Sequence, residues 1–183
     1  REQKPFAVMV RDLAAAEAIA LLEGAERDLL TSIERPIVLV RRRPDVPLAV
    51  GVAPGNPMVG LMLAYSPLHH LLLARTGALV MTSGNLSDEP MAFVDAEARA
   101  RLTGIADAFL VHERPIENPC DDSVARVIAG RPVFFRRSRG HVPQAIRLAT
   151  PVVPTLACGA HLKNTFCLAQ GHDAYLGPHI GDL

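Results

Sequence analysis

Aromatic side chains are scarce in this sequence, at 4% with no tryptophan, which leaves few flat platforms on which single-stranded bases could stack. Net charge is missing as well. The 19 basic and 19 acidic residues cancel, so no whole-molecule field favours nucleic acid or an anionic membrane surface. Long apolar runs are absent: Ile37 to Val40, Leu71 to Ala74 and Ala78 to Met81 all fall far below the roughly 20 residues that cross a bilayer. No basic segment leads into an apolar stretch and a small-residue cleavage site, so a cytoplasmic location is expected. The three cysteines, Cys120, Cys158 and Cys167, are odd in number and far apart. They fit neither a disulfide framework nor a CxxC metal knuckle and are expected to be reduced.

What is present points to a packed globular chain. Its 183 residues, 49% of them hydrophobic, suffice for one domain with a real core, or one domain plus a fragment. The chain opens on Arg1 rather than Met and stops at Leu183 straight after a turn signal, so both ends are expected to be cuts through a longer protein. Two arginine clusters stand out, Arg41 to Arg43 and the group Arg131, Arg136, Arg137 and Arg139. Small phosphates suit such clusters better than long polyanions do, although a solvated strand end is the plainer account of Arg41 to Arg43.

Hydrophobic patterning predicts an α/β domain with a mixed, twisted sheet. Phe6 to Val10 reads as a strand, Asp12 as the cap of an Ala- and Leu-rich helix, and Glu26 to Ile33 as a second helix. The β-branched run Ile37 to Val40 reads as a buried strand. Further strands are expected over Ala49 to Ala53, Met58 to Met62, Ala78 to Met81 and Ala108 to Val111. Ser66-Pro67 opens a helix ended by Gly77, and Val94 to Leu102 forms another. Val124 to Ile128 and Val133 to Arg136 read as a hairpin around Gly130, and Val152 to Ala157, Thr165 to Ala169 and Ala174 to Leu176 as three strands with turns at Gly159 and Gly171. Prolines at 143, 151 and 154 break the pattern, which places a domain boundary near residue 148. The stretch of roughly 35 residues beyond it is too short to close a core alone.

The most informative local motif is Thr82-Ser83-Gly84-Asn85, at the carboxyl end of a predicted strand, where α/β sheets place ligands. Gly84 permits close backbone approach, and Ser83 and Asn85 offer donors and acceptors to phosphate, ribose or carboxylate oxygens. The same residues also read as an ordinary turn and helix cap. Asp121 and Asp122 could hold Mg²⁺, or Asp-Asp-Ser could simply turn into the next strand. His69 and His70 are adjacent on a helix and point apart, so a shared metal is not expected. Cys158 and Cys167 have no histidine placed as a base and read as small buried hydrophobes.

Taken in order, Arg1-x-x-Lys4-Pro5, the Thr82 to Pro90 stretch TSGNLSDEP, Asp121-Asp122-Ser123-Val124 and Arg136-Arg137-Ser138-Arg139-Gly140 resemble the YrdC-like domain shared by threonylcarbamoyl-AMP synthases and carbamoyltransferases. Gly159 to Thr165, which carries Leu162-Lys163-Asn164-Thr165, and His179 to Leu183 resemble more narrowly the HypF-type carbamoyltransferases of NiFe-hydrogenase maturation. Two departures stand out: His161 where an acidic residue is usual, and Pro119 where a basic one is.

The resemblance implies a YrdC-like twisted mixed sheet with flanking helices over 1–147, its front part missing. The first β-strands of an ASKHA-type transferase domain, truncated, would follow over 148–183. It implies that ATP and carbamate from carbamoyl phosphate form carbamoyl-adenylate, with Mg²⁺ on the phosphates. The carbamoyl group then passes to a C-terminal cysteine of a partner protein, for cyanide-ligand synthesis. Carried over residue by residue, Arg1 and Lys4 contact phosphates, and Thr82, Ser83 and Asn85 bind nucleotide and acyl group. Arg137 or Arg139 closes the site, and Lys163 and Asn164 belong to a nucleotide loop of the transferase domain. Zinc or iron is expected only in parts of the protein outside this chain, and no membrane is expected as a partner. Two alternatives remain: a threonylcarbamoyl-AMP synthase of tRNA modification, and a non-catalytic module binding double-stranded RNA through arginine faces, which the neutral net charge disfavours.

Overall fold

The structure is a computed structural model that describes residues 5–46, 48–86, 89–160, 164–177 and 179. The chain divides into two compact units, one comprising 1–82 with 122–141 and the other 83–121 with 142–183. Among the described residues no helix is long and apolar enough to cross a membrane.

The first unit is built on a mixed sheet. Its strands are β1 (Ala7–Val10), β2 (Ala20–Leu21), β3 (Ile37–Arg42), β4 (Met58–Leu63), β5 (Leu79–Met81), β6 (Val124–Ile128) and β7 (Arg131–Arg136). They run in the order β5-β1-β4-β3-β6-β7, with β2 paired to β3. The pairs β1/β4 and β3/β6 are parallel, while β1/β5, β3/β4 and β6/β7 are antiparallel.

Alternation along the strands explains the two cores. Val8 and Val10 of β1 and Val59, Leu61 and Leu63 of β4 face one side. There they meet Ala16 and Ile19 of helix α1 (Leu13–Ile19) and Leu29 and Leu30 of helix α2 (Gly24–Thr31). Met9 and Met62 face the other side with Leu73 of helix α3 (Pro67–Thr76). Gly60 leaves little room on that side, since a Cβ there would lie 3.0 Å from Ile37 Cγ2.

Helix ends follow their capping chemistry. Asp12 accepts from the Ala15 amide at 2.9 Å, and that amide holds its carboxyl below the usual carboxylate range, with Arg11 adding to the effect. Glu26 accepts from the Glu23 amide at 2.8 Å, and Ser66 accepts from the His69 amide at 3.2 Å. Gly77, at φ 81°, ends α3 in the left-handed region open to glycine. The Arg41 to Arg43 run is indeed a strand end and loop: Arg43 Nε donates to Glu17 O at 2.7 Å, and the run is mostly exposed.

Several expectations are corrected. Ala49 to Ala53 is a loop carrying a 3-10 turn, Val50–Val52, rather than a strand. Leu79–Met81 is the sheet's edge, with Val80 50% exposed, so this strand is not buried. Ala108 to Val111 is irregular. In the second unit helix α4 (Asp95–Leu102) forms as expected, but the three strands at the end of the chain are two, β8 (Ile146–Cys158) and β9 (Phe166–Leu176). Gly171, at φ 58°, makes no turn between strands; it sits opposite Val152 where the register shifts. A β-bulge absorbs the left-handed glycine without ending the strand.

Candidate functional site

The Thr82 to Asn85 motif leaves β5 at its carboxyl end, but β5 runs against β1. Met81 is opposite Ala7, the first residue of β1. The motif therefore starts at the amino ends of β1 and β4, which differs from the carboxyl-end placement usual in a parallel sheet. Within the second unit, Ser83 Oγ donates to Asn85 Oδ1 at 2.6 Å, and Asn85 Nδ2 donates to Leu86 O at 2.8 Å and Glu89 O at 3.1 Å. Ala92 N closes the loop on Gly84 O at 2.9 Å. The amide of Asn85 is thus spent on shaping the loop, while the Ser83 hydroxyl keeps acceptor capacity.

A residue that the sequence did not single out braces this loop. Arg101 of α4 donates to Glu89 at 2.6 Å, to Glu97 at 2.6 Å and to Pro90 O at 2.8 Å. The bonds to Glu97 and Glu89 raise its pKa further above the usual arginine range. Its i, i+4 spacing from Glu97 was the available signal.

In the first unit Arg139 forms a node. Its Nε donates to Asp122 Oδ1 at 2.7 Å, its Nη1 to Glu34 O at 3.0 Å and its Nη2 to Arg35 O at 2.8 Å. The guanidinium lies 3.6 Å above the centroid of the Tyr65 ring. Below it, fully buried Ser123 accepts from Ser138 N at 2.8 Å and donates to Arg139 O at 2.9 Å.

Two histidines lie close to this node. His69 packs edge-on to Tyr65 with centroids 4.4 Å apart, and His141 packs on Phe134 at 4.5 Å. Burial pushes both imidazole pKa values down, opposed by Asp122 at His69 and by Glu34 at His141. Neither the Nδ1 of His69 nor the Nε2 of His141 has a hydrogen-bond partner. Both rings are packing elements, as expected for His69.

β7 runs out towards Arg137 beside the start of β6, with Arg136 opposite Val124. Through the pairing of β6 with β3 and β3 with β4, that point corresponds to the carboxyl ends of β1 and β4. Sheet register alone thus brings Arg137, Arg139 and Asp122 together and leaves Thr82 at the other end. The Asp121-Asp122 pair does not fit a resident Mg²⁺ site, because the Asp122 carboxylate is already neutralised by Arg139. Among the described residues no cluster of three or more His, Cys, Asp or Glu could hold a metal.

Arg1, Lys4 and Lys163 lie outside the described residues. Asn164 is described and packs on Gly159: a Cβ at Gly159 would strike Asn164 Oδ1 and come within 2.8 Å of Thr165 O. Gly159 N also donates to Thr165 O at 3.0 Å, closing that loop. None of the three cysteines forms a disulfide, but Cys158 is exposed, against the expectation of a buried thiol, because it sits at the end of a two-stranded sheet. The second unit also holds a cleft of about 400 Å³ between Phe93 to Ala96 and Leu110 to Ile116, which takes in the last two residues of the stretch expected to be a strand.

Comparison with known proteins identifies this arrangement. The Sua5/YciO/YrdC family model, described as telomere recombination, matches residues 1–138, and the HypF Kae1-like domain matches 150–183. The carbamoyltransferase HypF of Synechocystis sp. is 46% identical over 185 residues, covering all of this chain and 24% of that protein. The chain thus spans about a quarter of the length of the curated relatives it matches. A crystal structure of full-length HypF in the phosphate- and nucleotide-bound form superimposes with a TM-score of 0.92 at 44% identity, over all of this chain and 29% of that one. The Sua5 of P. abyssi complexed with L-threonine shares the fold, with a TM-score of 0.64 at 14% identity over 75% of this chain and 41% of that one. The chain belongs to the Sua5/YciO/YrdC family and carries that domain as HypF carbamoyltransferases do, ahead of a segment of the Kae1-like domain.

Proposed function

We propose that this chain is the nucleotide-activating part of a HypF-type carbamoyltransferase, joined near residue 148 to the opening strands of the transferase domain. The observation that carries the reading is the succession, in one chain, of a YrdC-type region and a HypF Kae1-like segment. In this reading water hydrolyses carbamoyl phosphate, and inorganic phosphate leaves as carbamate is released. A carbamate oxygen attacks the α-phosphorus of ATP, the bond to the β-phosphate breaks, and pyrophosphate leaves with its electron pair. A partner protein's C-terminal cysteine thiolate then attacks the carbamoyl carbon, AMP departs, and the resulting thiocarbamate is the precursor of a cyanide ligand.

This chemistry asks a protein for positioning and for cations around the phosphates. Arg1, Lys4 and Arg137 are assigned to the phosphates and Thr82, Ser83 and Asn85 to nucleotide and acyl group; Lys163 and Asn164 are assigned to the nucleotide loop of the transferase domain. Mg²⁺ arrives with the substrate as MgATP. The ligands named for the similar full-length HypF, phosphate and nucleotide, support this reading.

ATP–pyrophosphate exchange by the complete enzyme tests it. Exchange is expected with carbamoyl phosphate as the only co-substrate. Exchange that instead requires threonine and bicarbonate would assign the chain to threonylcarbamoyl-adenylate synthesis. Absence of exchange together with salt-resistant binding of double-stranded RNA would make it a binding module.

A further inference from the structure

We propose that Arg139 is a positioning residue that fixes how Arg137 is presented, and that it is not itself a phosphate ligand. The inference rests on the reading of Arg137 as a phosphate contact. The primary observation is how fully Arg139 is engaged: all three guanidinium nitrogens already donate, to Asp122, Glu34 O and Arg35 O, and the plane is stacked on Tyr65. Three of its five N–H groups are committed, so a swing of the guanidinium out of this node towards a ligand elsewhere would cost its bonds to two backbone carbonyls.

The backbone around it is built to keep it there. Ser123 ties both Ser138 N and Arg139 O to the start of β6, and Asp122 and Arg139 also form a parallel bridge. Arg35, whose carbonyl is one of the two that accept from Arg139, is a non-glycine residue at φ 47°. Such a conformation persists where its surroundings over-determine it. Gly140 follows at φ 84°, so close to Glu34 that a Cβ would lie 2.7 Å from the Glu34 Cβ. The segment from Arg137 to Gly140 is therefore pinned on both sides of Ser138. Arginine is required at 139, because three acceptors in different directions and a ring face need a planar fork, and a lysine ammonium offers a single point charge.

A double-mutant cycle in the complete enzyme tests this, with KM for ATP and kcat of pyrophosphate exchange as readouts. Arg137→Ala is expected to raise KM for ATP by about tenfold, and Arg139→Ala by a similar factor. The combination Arg137→Ala with Arg139→Ala is expected to be no worse than Arg137→Ala alone, because Arg139 acts only through Arg137. Arg139→Lys should resemble Arg139→Ala. Tyr65→Leu, which removes the stacking platform and leaves the charge, should raise KM by a smaller factor and keeps the test open if the Arg139 variants fold poorly.

Multiplying effects in the double variant would make Arg139 an independent ligand and overturn the proposal. So would wild-type KM in Arg139→Ala, in Arg139→Lys or in Tyr65→Leu. If Arg137→Ala alone leaves KM unchanged, the assignment of Arg137 to the phosphates fails, and the role given to Arg139 falls with it.

Discussion

Gly140 shows how a single residue can set a local geometry. Its φ of 84° is open to glycine, and the space a Cβ would fill is occupied by the backbone and Cβ of Glu34 at 2.7 to 2.8 Å. Gly140→Ala combines left-handed strain with overpacking against main chain, which cannot swing away as a flexible side chain would. A destabilisation of about 2 to 4 kcal/mol is expected from the two effects; chemical denaturation would register it, and a loss below 0.5 kcal/mol would contradict the packing described. At this scale the motifs were legible as letters, but their engagements were not. Arg139 could be picked out with Arg137 as a cation, yet its carbonyl partners lie 104 and 105 residues away in sequence. No local pattern reports such a contact. The same holds for Tyr65, which sequence reasoning left without a role.

Elements were more legible where propensity and periodicity agreed. Ile37–Arg42 and Met58–Leu63 are short β-branched or apolar runs bounded by Pro36 and the Gly55 turn, and they became neighbouring strands. The stretch Ala108 to Val111 has a similar apolar composition but is irregular, and its last two residues line a cleft. Gly171 suggests a turn by its sequence but sits at a register shift within β9, since a left-handed glycine can serve a bulge as well as a turn. The β6–β7 hairpin turns around Gly130, as its sequence predicts, through the two-residue loop between Ile128 and Arg131. Ala129 and Gly130 both have positive φ, at 50° and 74°, which is the type I′ pattern that favours Asn-Gly. Ala129→Asn should relieve part of the cost of placing alanine there and stabilise the first unit by about 0.5 to 1 kcal/mol. A lower unfolding midpoint in that variant would contradict the turn assignment.

For the molecule as a whole, composition and motif order were enough to see an α/β fold with a mixed sheet. The division of the chain at Thr82 and Asp121 was not legible, because it depends on which segments pack together and not on composition. The β8–β9 sheet shows apolar side chains to solvent, Val153 at 77% and Leu156 at 63% exposed, and a two-stranded sheet alone is marginally stable. That exposure agrees with the proposal that these strands open a larger domain.

The first unit should also respond to pH. His69 and His141 are shifted down by burial from the ordinary value near 6.5, so folding favours their neutral form. Between about 6.5 and the depressed folded values the unfolded chain binds more protons, and stability rises with pH. It is fully present above that window and lost as pH falls through it. Protection factors of β1 and β4 amides should therefore drop between pH 7.5 and 5.5, and His69→Gln with His141→Gln should flatten the dependence. An unchanged slope in that double variant would rule out these two residues as its source.

The most direct test of the central claim is carbamoyl-phosphate-dependent ATP–pyrophosphate exchange in the complete enzyme carrying Ser83→Ala and Asn85→Ala. Exchange in the unaltered enzyme, and its loss in the double variant with the sheet of the first unit still protected from hydrogen exchange, is the predicted result. Full exchange in the double variant would contradict it.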